Sequence, residues 1–116
     1  MRWLVALVFV AGCSKQQEAP PKAERPVAIP AVEVQRALDA CQAYVAKVCA
    51  CGETVPAAKE TCALARALPE AIDVGKRLAA NPQADREDAL QAADSIRKTV
   101  KQCIEQTANL PALGCS

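Results

Sequence analysis

The chain has 116 residues, room for one small domain, with a formal net charge of +1 and no histidine. So even a balance gives no electrostatic reason to seek nucleic acid, where affinity comes mainly from neutralising phosphates. Trp3 and Phe9 lie near the start, leaving Tyr44 as the only aromatic in the remainder, so a site that stacks a sugar, nucleotide or flat cofactor has almost nothing to build with.

Met1-Arg2 places a positive charge at the start, and Trp3 to Val10 is wholly apolar. The apolar stretch from Trp3 to Cys13 is 11 residues long, against about 20 needed to span a bilayer. A basic start, an apolar middle and the small residues Ala11-Gly12 before Cys13 have the layout of a cleaved export signal.

Val10-Ala11-Gly12-Cys13 resembles, position by position, the lipobox of the bacterial lipoprotein signal: aliphatic, small, Gly or Ala, then Cys. The resemblance covers residues 1–14. It implies a diacylglycerol thioether on Cys13, cleavage between Gly12 and Cys13, and acylation of the new amine, with palmitate as the expected group. Ser14 behind the cysteine resembles the outer-membrane sorting choice. The expected location is therefore the bacterial outer membrane, lipid-anchored and facing the periplasm or the cell surface. Several acyl chains anchor stably, at about 0.8 kcal/mol per buried methylene. With residues 1–12 removed as signal peptide, 13 basic side chains balance 13 acidic ones.

Residues 13–30 read as the lipidated cysteine and a disordered tether. Pro20, Pro21, Pro26 and Pro30 remove amide donors and fix φ, which disfavours both helix and sheet. Polyproline-like extension at ~3.1 Å per residue would hold the domain up to ~50 Å from the lipid surface.

Residues 31–116 read as an all-α domain. From Ala31 to Ala50, Val34, Leu38, Cys41, Val45 and Val48 recur on one helical face, and Gly52 is the expected stop. A second helix over Pro56 to Ala80 carries Cys62, Ala65, Leu68, Ile72 and Leu78 on its stripe. Pro69 denies a bond to the carbonyl of Ala65, so the helix is expected to kink or break there, giving a bundle of three helices or four. A third helix is expected from Pro82, behind Asn81 as cap, to about Asn109. Its buried face is read as Leu90, Ala93, Ile96, Val100, Cys103, Ile104 and Thr107. Asp85, Glu87 and Asp88 suit its positive end, and Asp94 and Lys98 stand four apart for a surface pair.

Seven cysteines are many for this length. With Cys13 set aside six remain, an even number that can pair in an oxidising compartment. Short connections make neighbouring helices antiparallel, and folding about residue 52 brings Cys41 near Cys62. Folding about residue 81 brings Cys103 to the end that holds Cys49 and Cys51. The expected pairs are Cys41–Cys62, Cys49–Cys103 and Cys51–Cys115, with Cys49–Cys115 and Cys51–Cys103 as the alternative. Staples matter because the core is alanine-rich and thin. The chain-entropy model gives about 3 kcal/mol for closing the shorter loop and about 4 for the longer.

Cys49-Ala50-Cys51 would be the nearest thing to a redox or metal motif, but structural zinc sites want paired clusters, often with histidine. A disulfide role is the simpler reading, and neither metal nor cofactor is expected. The Cys41 to Cys51 interval resembles one arm of a twin-CX9C hairpin; eleven residues separate Cys103 from Cys115, so no family is assigned to the domain. Without histidine, Ser95 lacks the usual base. Glu87, Asp88 and Asp94 read as a solvated helix face rather than acid–base groups, and Gly75 as a point of close helix packing.

The chain is therefore not expected to be an enzyme. The function expected is that of a membrane-anchored envelope lipoprotein, a non-catalytic interaction or structural module with a protein partner in the envelope. The alternatives are a small carrier of a lipid-like ligand, and an inhibitor or immunity-type protein acting on an exported enzyme. A continuous cavity of roughly 300 Å³ or more between the helices would favour the carrier.

Overall fold

The computed structural model describes residues 27–116. The expected signal peptide, Cys13 and the first part of the expected tether lie outside the described residues. Four helices follow one another: α1 (Ala31–Cys51), α2 (Pro56–Ala65), α3 (Ala67–Ala80) and α4 (Arg86–Ala108), with a 3-10 turn at Leu110–Leu113. They make three passes, the second split in two, and there is no strand among the described residues.

The packed chain begins earlier than residue 31. Ile29 is buried in the core, and Pro30 precedes α1, its carbonyl accepting the amides of Glu33 (3.0 Å) and Val34 (3.2 Å). The expected tether thus ends before residue 29, because Ile29 has apolar surface to bury and the helix start supplies the place. α1 then follows its stripe: Val34, Leu38, Cys41 and Val48 are buried, joined by Ala37 and Tyr44.

Gly52 ends α1 with φ −63°, an ordinary helical value. Its role is space: a Cβ there would lie 2.9 Å from the Lys59 Cα and 3.0 Å from the Lys59 nitrogen. The turn can therefore fold tightly onto the start of α2, where Pro56 takes the first helical position without sacrificing a needed donor.

The break in the second pass falls at Arg66, between α2 and α3. Pro69 then sits in the first turn of α3, where a missing amide costs nothing. After the break, α3 packs along α4 while α2 packs on α1 and barely touches α4. The two segments diverge.

The last helix starts at Arg86 rather than Pro82. Asn81 spends its side chain on a turn, its Oδ1 accepting the Gln83 amide at 2.9 Å, and Asp85 Oδ1 accepts the Asp88 amide at 2.8 Å. A carboxylate that caps a helix amide beside the positive end of the dipole fixes the start.

Two links between α1 and α4, Glu33–Arg97 and Cys41–Cys103, climb both helices together, so α1 and α4 run parallel. The second pass returns between them. Tyr44, Ile72, Ile96 and Val48 fill the centre with Cys41 and Cys103. Burial on α4 departs from the expected stripe. Ala89, Ala92 and Ala93 are buried, whereas Leu90 and Ile104 are 49% and 60% exposed. Leu78 on α3 is exposed as well. Small residues win the interface because α3 approaches closely: a Cβ on Gly75 would lie 2.8 Å from Ile96 Cγ1.

Three disulfides close the framework, Cys41–Cys103, Cys49–Cys62 and Cys51–Cys115. The expected Cys51–Cys115 pair is present. The expected Cys41–Cys62 and Cys49–Cys103 pairs exchange partners, and neither alternative pair, Cys49–Cys115 or Cys51–Cys103, occurs. The reason is angular. At about 100° per residue, Cys49 lies about 80° to one side of Cys41 around α1 and Cys51 about 80° to the other. Cys41 points at the centre and meets α4, Cys49 faces α2, and Cys51 faces the segment that follows α4. Distance along the helix alone had assigned Cys62 to Cys41.

Candidate functional site

The residues singled out for acid–base chemistry do not converge. Glu87 and Asp88 lie exposed in the first turn of α4. Asp94 pairs with Lys98 at 2.9 Å, both well exposed. Ser95 is exposed, and its carbonyl accepts the Thr99 hydroxyl. All six cysteines of the described region are in disulfides. Among the described residues, no three His, Cys, Asp or Glu side chains are grouped to hold a metal ion. No helix of the described residues is long and apolar enough to cross a membrane.

Features of interest gather at the end of the bundle away from residue 27. The C-terminus of α1 carries two staples, one to α2 and one to the segment after α4. Between α2 and α4, where the split second pass diverges, a groove of about 190 Å³ opens, lined by Tyr44, Thr61, Leu64, Leu68, Gln102 and Gln106 among others. Tyr44 reaches it from α1. Burial pushes the phenol pKa above its ordinary value, because the ionised form loses solvation. Leu64 is 76% exposed at this groove.

A second and larger cleft, about 520 Å³, lies where the C-terminus of α1 meets the 3-10 turn. Lys47, Ala50, Val55, Thr107, Leu110 and Pro111 line it together with both sulfur-bearing residues of Cys51–Cys115. Gly114, with φ +95°, reverses the chain so that Cys115 can return to α1. The Cys115 amide donates to the Leu110 carbonyl at 3.0 Å, which closes the turn.

Neither opening was legible in the sequence. The groove depends on the direction in which α2 leaves α4, and the cleft on how residues 110–116 fold back. Leu64 and Leu68, four apart across the break, were the available signal.

At the opposite end, Arg97 of α4 clasps Glu33 of α1 through two bonds, Nε to Oε1 at 2.7 Å and a second from the guanidinium to Oε2 at 3.2 Å. The hydrogen bonds from Arg97 hold the Glu33 carboxyl below its ordinary range, and the guanidinium pKa is raised in turn.

No protein-family model, curated protein or solved structure matches this chain.

Proposed function

We propose that this chain is the precursor of a bacterial lipoprotein, held on the outer membrane through Cys13, whose domain is a non-catalytic interaction or structural module of the envelope. The observation that carries the reading is the cysteine arithmetic. Of seven cysteines, six pair with one another in the described domain, and the odd one stands at the end of the lipobox-like Val10-Ala11-Gly12-Cys13. Three disulfides suit export to an oxidising compartment, and a thioether at Cys13 would cap the one thiol that this pairing leaves over.

The chemistry of the domain supports a module rather than a catalyst. Among the described residues the carboxylates are dispersed, the one phenol is buried, and the two clefts bring together no base and nucleophile. The stapled end of the bundle, remote from residue 27, offers the rigid surface for a protein partner.

The carrier reading draws on the 520 Å³ cleft, which exceeds the volume set for it. That cleft lies open at one end of the bundle, not between the helices, where Tyr44, Ile72 and Ile96 fill the space. The module is the better reading.

Replacing Cys13 by Ala tests the anchor. The wild-type chain is expected in the membrane fraction with incorporated labelled palmitate, and Cys13→Ala without it. Labelled Cys13→Ala in the membrane would refute the anchoring. Capture from envelope extract, with a reduced and alkylated control, tests the module. A partner retained only by the disulfide-intact protein is expected; none retained by either counts against that role.

A further inference from the structure

We propose that Cys51–Cys115 is a thiol–disulfide exchange site for an external dithiol, and that its opening releases the segment Leu110–Ser116 from the bundle. The proposal does not depend on how the chain is anchored. It rests on the contrast among the three disulfides.

Cys41 and Cys103 are fully buried in the core, so no attacking thiolate reaches them without unfolding. Cys49–Cys62 joins α1 and α2, two helices that pack along one another and are connected by residues 52–55. Breaking it leaves both sulfurs held in place to re-form the bond. Cys51–Cys115 differs from the first in access and from the second in how its sulfurs are held. Both cysteines line the open 520 Å³ cleft, where a thiolate can approach the partly exposed Cys51, while Cys115 is 7% exposed. The 3-10 turn packs chiefly on α4, the helix it follows in sequence, and the disulfide is its covalent tie to α1. Once cut, the two sulfurs separate readily.

In the exchange, a thiolate of the dithiol attacks one sulfur of the pair and the other leaves as thiolate. Lys47, one turn before Cys51 and lining the same cleft, favours that anion. The second thiol of the reductant then resolves the mixed disulfide. Two electrons and two protons pass to Cys51 and Cys115, and the dithiol becomes a disulfide. Release of the turn uncovers Leu110, which is 7% exposed in the closed state, and the partly buried Leu113 and Val55. The oxidised state hides this apolar surface and the reduced state displays it.

The test is native reduction of the full chain with graded dithiothreitol, quenched by N-ethylmaleimide and read by peptide mapping. Cys51 and Cys115 are expected to be alkylated together, about tenfold ahead of the other four cysteines. Earlier alkylation of Cys49 and Cys62, or simultaneous alkylation of all six, would overturn the proposal. A second measurement covers the folded consequence: amide hydrogen exchange of the Cys51→Ser/Cys115→Ser variant. Protection is expected to fall across residues 110–116 while α1 to α4 keep theirs. Unchanged protection in 110–116, or loss spread through α1, would contradict it.

Discussion

Gly75 of α3 lies against Ile96 of α4 so closely that an added Cβ would stand 2.8 Å from Ile96 Cγ1, 3.2 Å from its Cδ1 and 3.4 Å from the Ala92 carbonyl oxygen. Ile96 is itself buried, with Ala93 and Ile72 in the same core. Gly75→Ala gains about 1 kcal/mol of helix propensity but overpacks the contact at about 1–3 kcal/mol. The expected result is a net loss of about 1 kcal/mol in urea unfolding, with the α3–α4 pair forced apart. A more stable variant would mean that Ile96 can turn aside freely.

Much of this architecture is legible in the sequence, and the failures share a cause. The stripe Val34, Leu38, Cys41, Val48 marks α1 because a 3.6-residue repeat needs only local chemistry. Pro69 announces a break, and six cysteines announce three bonds. Which cysteines meet is a three-dimensional matter: Cys49 and Cys51 are two residues apart, yet face opposite flanks of α1. Leu90 and Ile104 were read as core for the same reason. Both are apolar and helically spaced, but Gly75 and the alanines of α4 draw the interface away from them. Of the candidate site, the sequence held the cysteines and nothing of the clefts.

Two of the staples differ in loop length, with separations of 62 residues for Cys41–Cys103 and 13 for Cys49–Cys62. By chain entropy, Cys41→Ala/Cys103→Ala is expected to lose about 4 kcal/mol and Cys49→Ala/Cys62→Ala about 3. Either is comparable to the whole stability of a small domain. Denaturant titration of the paired variants checks the order, and a larger loss from the Cys49/Cys62 pair would contradict it.

Tyr44 is the only tyrosine of the chain, so tyrosinate absorbance reports it alone. Burial raises its pKa above the ordinary 10.0. The neutral phenol is the form that folding favours, so its contribution is intact below that value and fades as pH rises through the higher folded one. Absorbance at alkaline pH should show a midpoint above 10.0 in the folded protein, returning to the ordinary value in denaturant. Identical midpoints would place the phenol in open solvent.

The Glu33–Arg97 clasp predicts the opposite pH response. The Glu33 pKa lies below its ordinary 4.5, so its contribution is present above that value and is lost as pH falls through the depressed one. Both side chains are exposed, so the effect is modest and fades with salt. Glu33→Gln should flatten the acid limb of the melting temperature against pH, and the difference from wild type should shrink in high salt. An unaltered acid limb would show that the pair contributes nothing.

The proposed division of labour among the sulfurs is one for the membrane and six for the fold. Intact-mass analysis of the membrane-extracted protein, alkylated before and after reduction, tests it directly. The predicted species begins at Cys13, carries a diacylglycerol and an acyl group, takes no alkyl label before reduction and takes six afterwards. A species that retains residues 1–12, or one whose cysteines accept label without reduction, would contradict it.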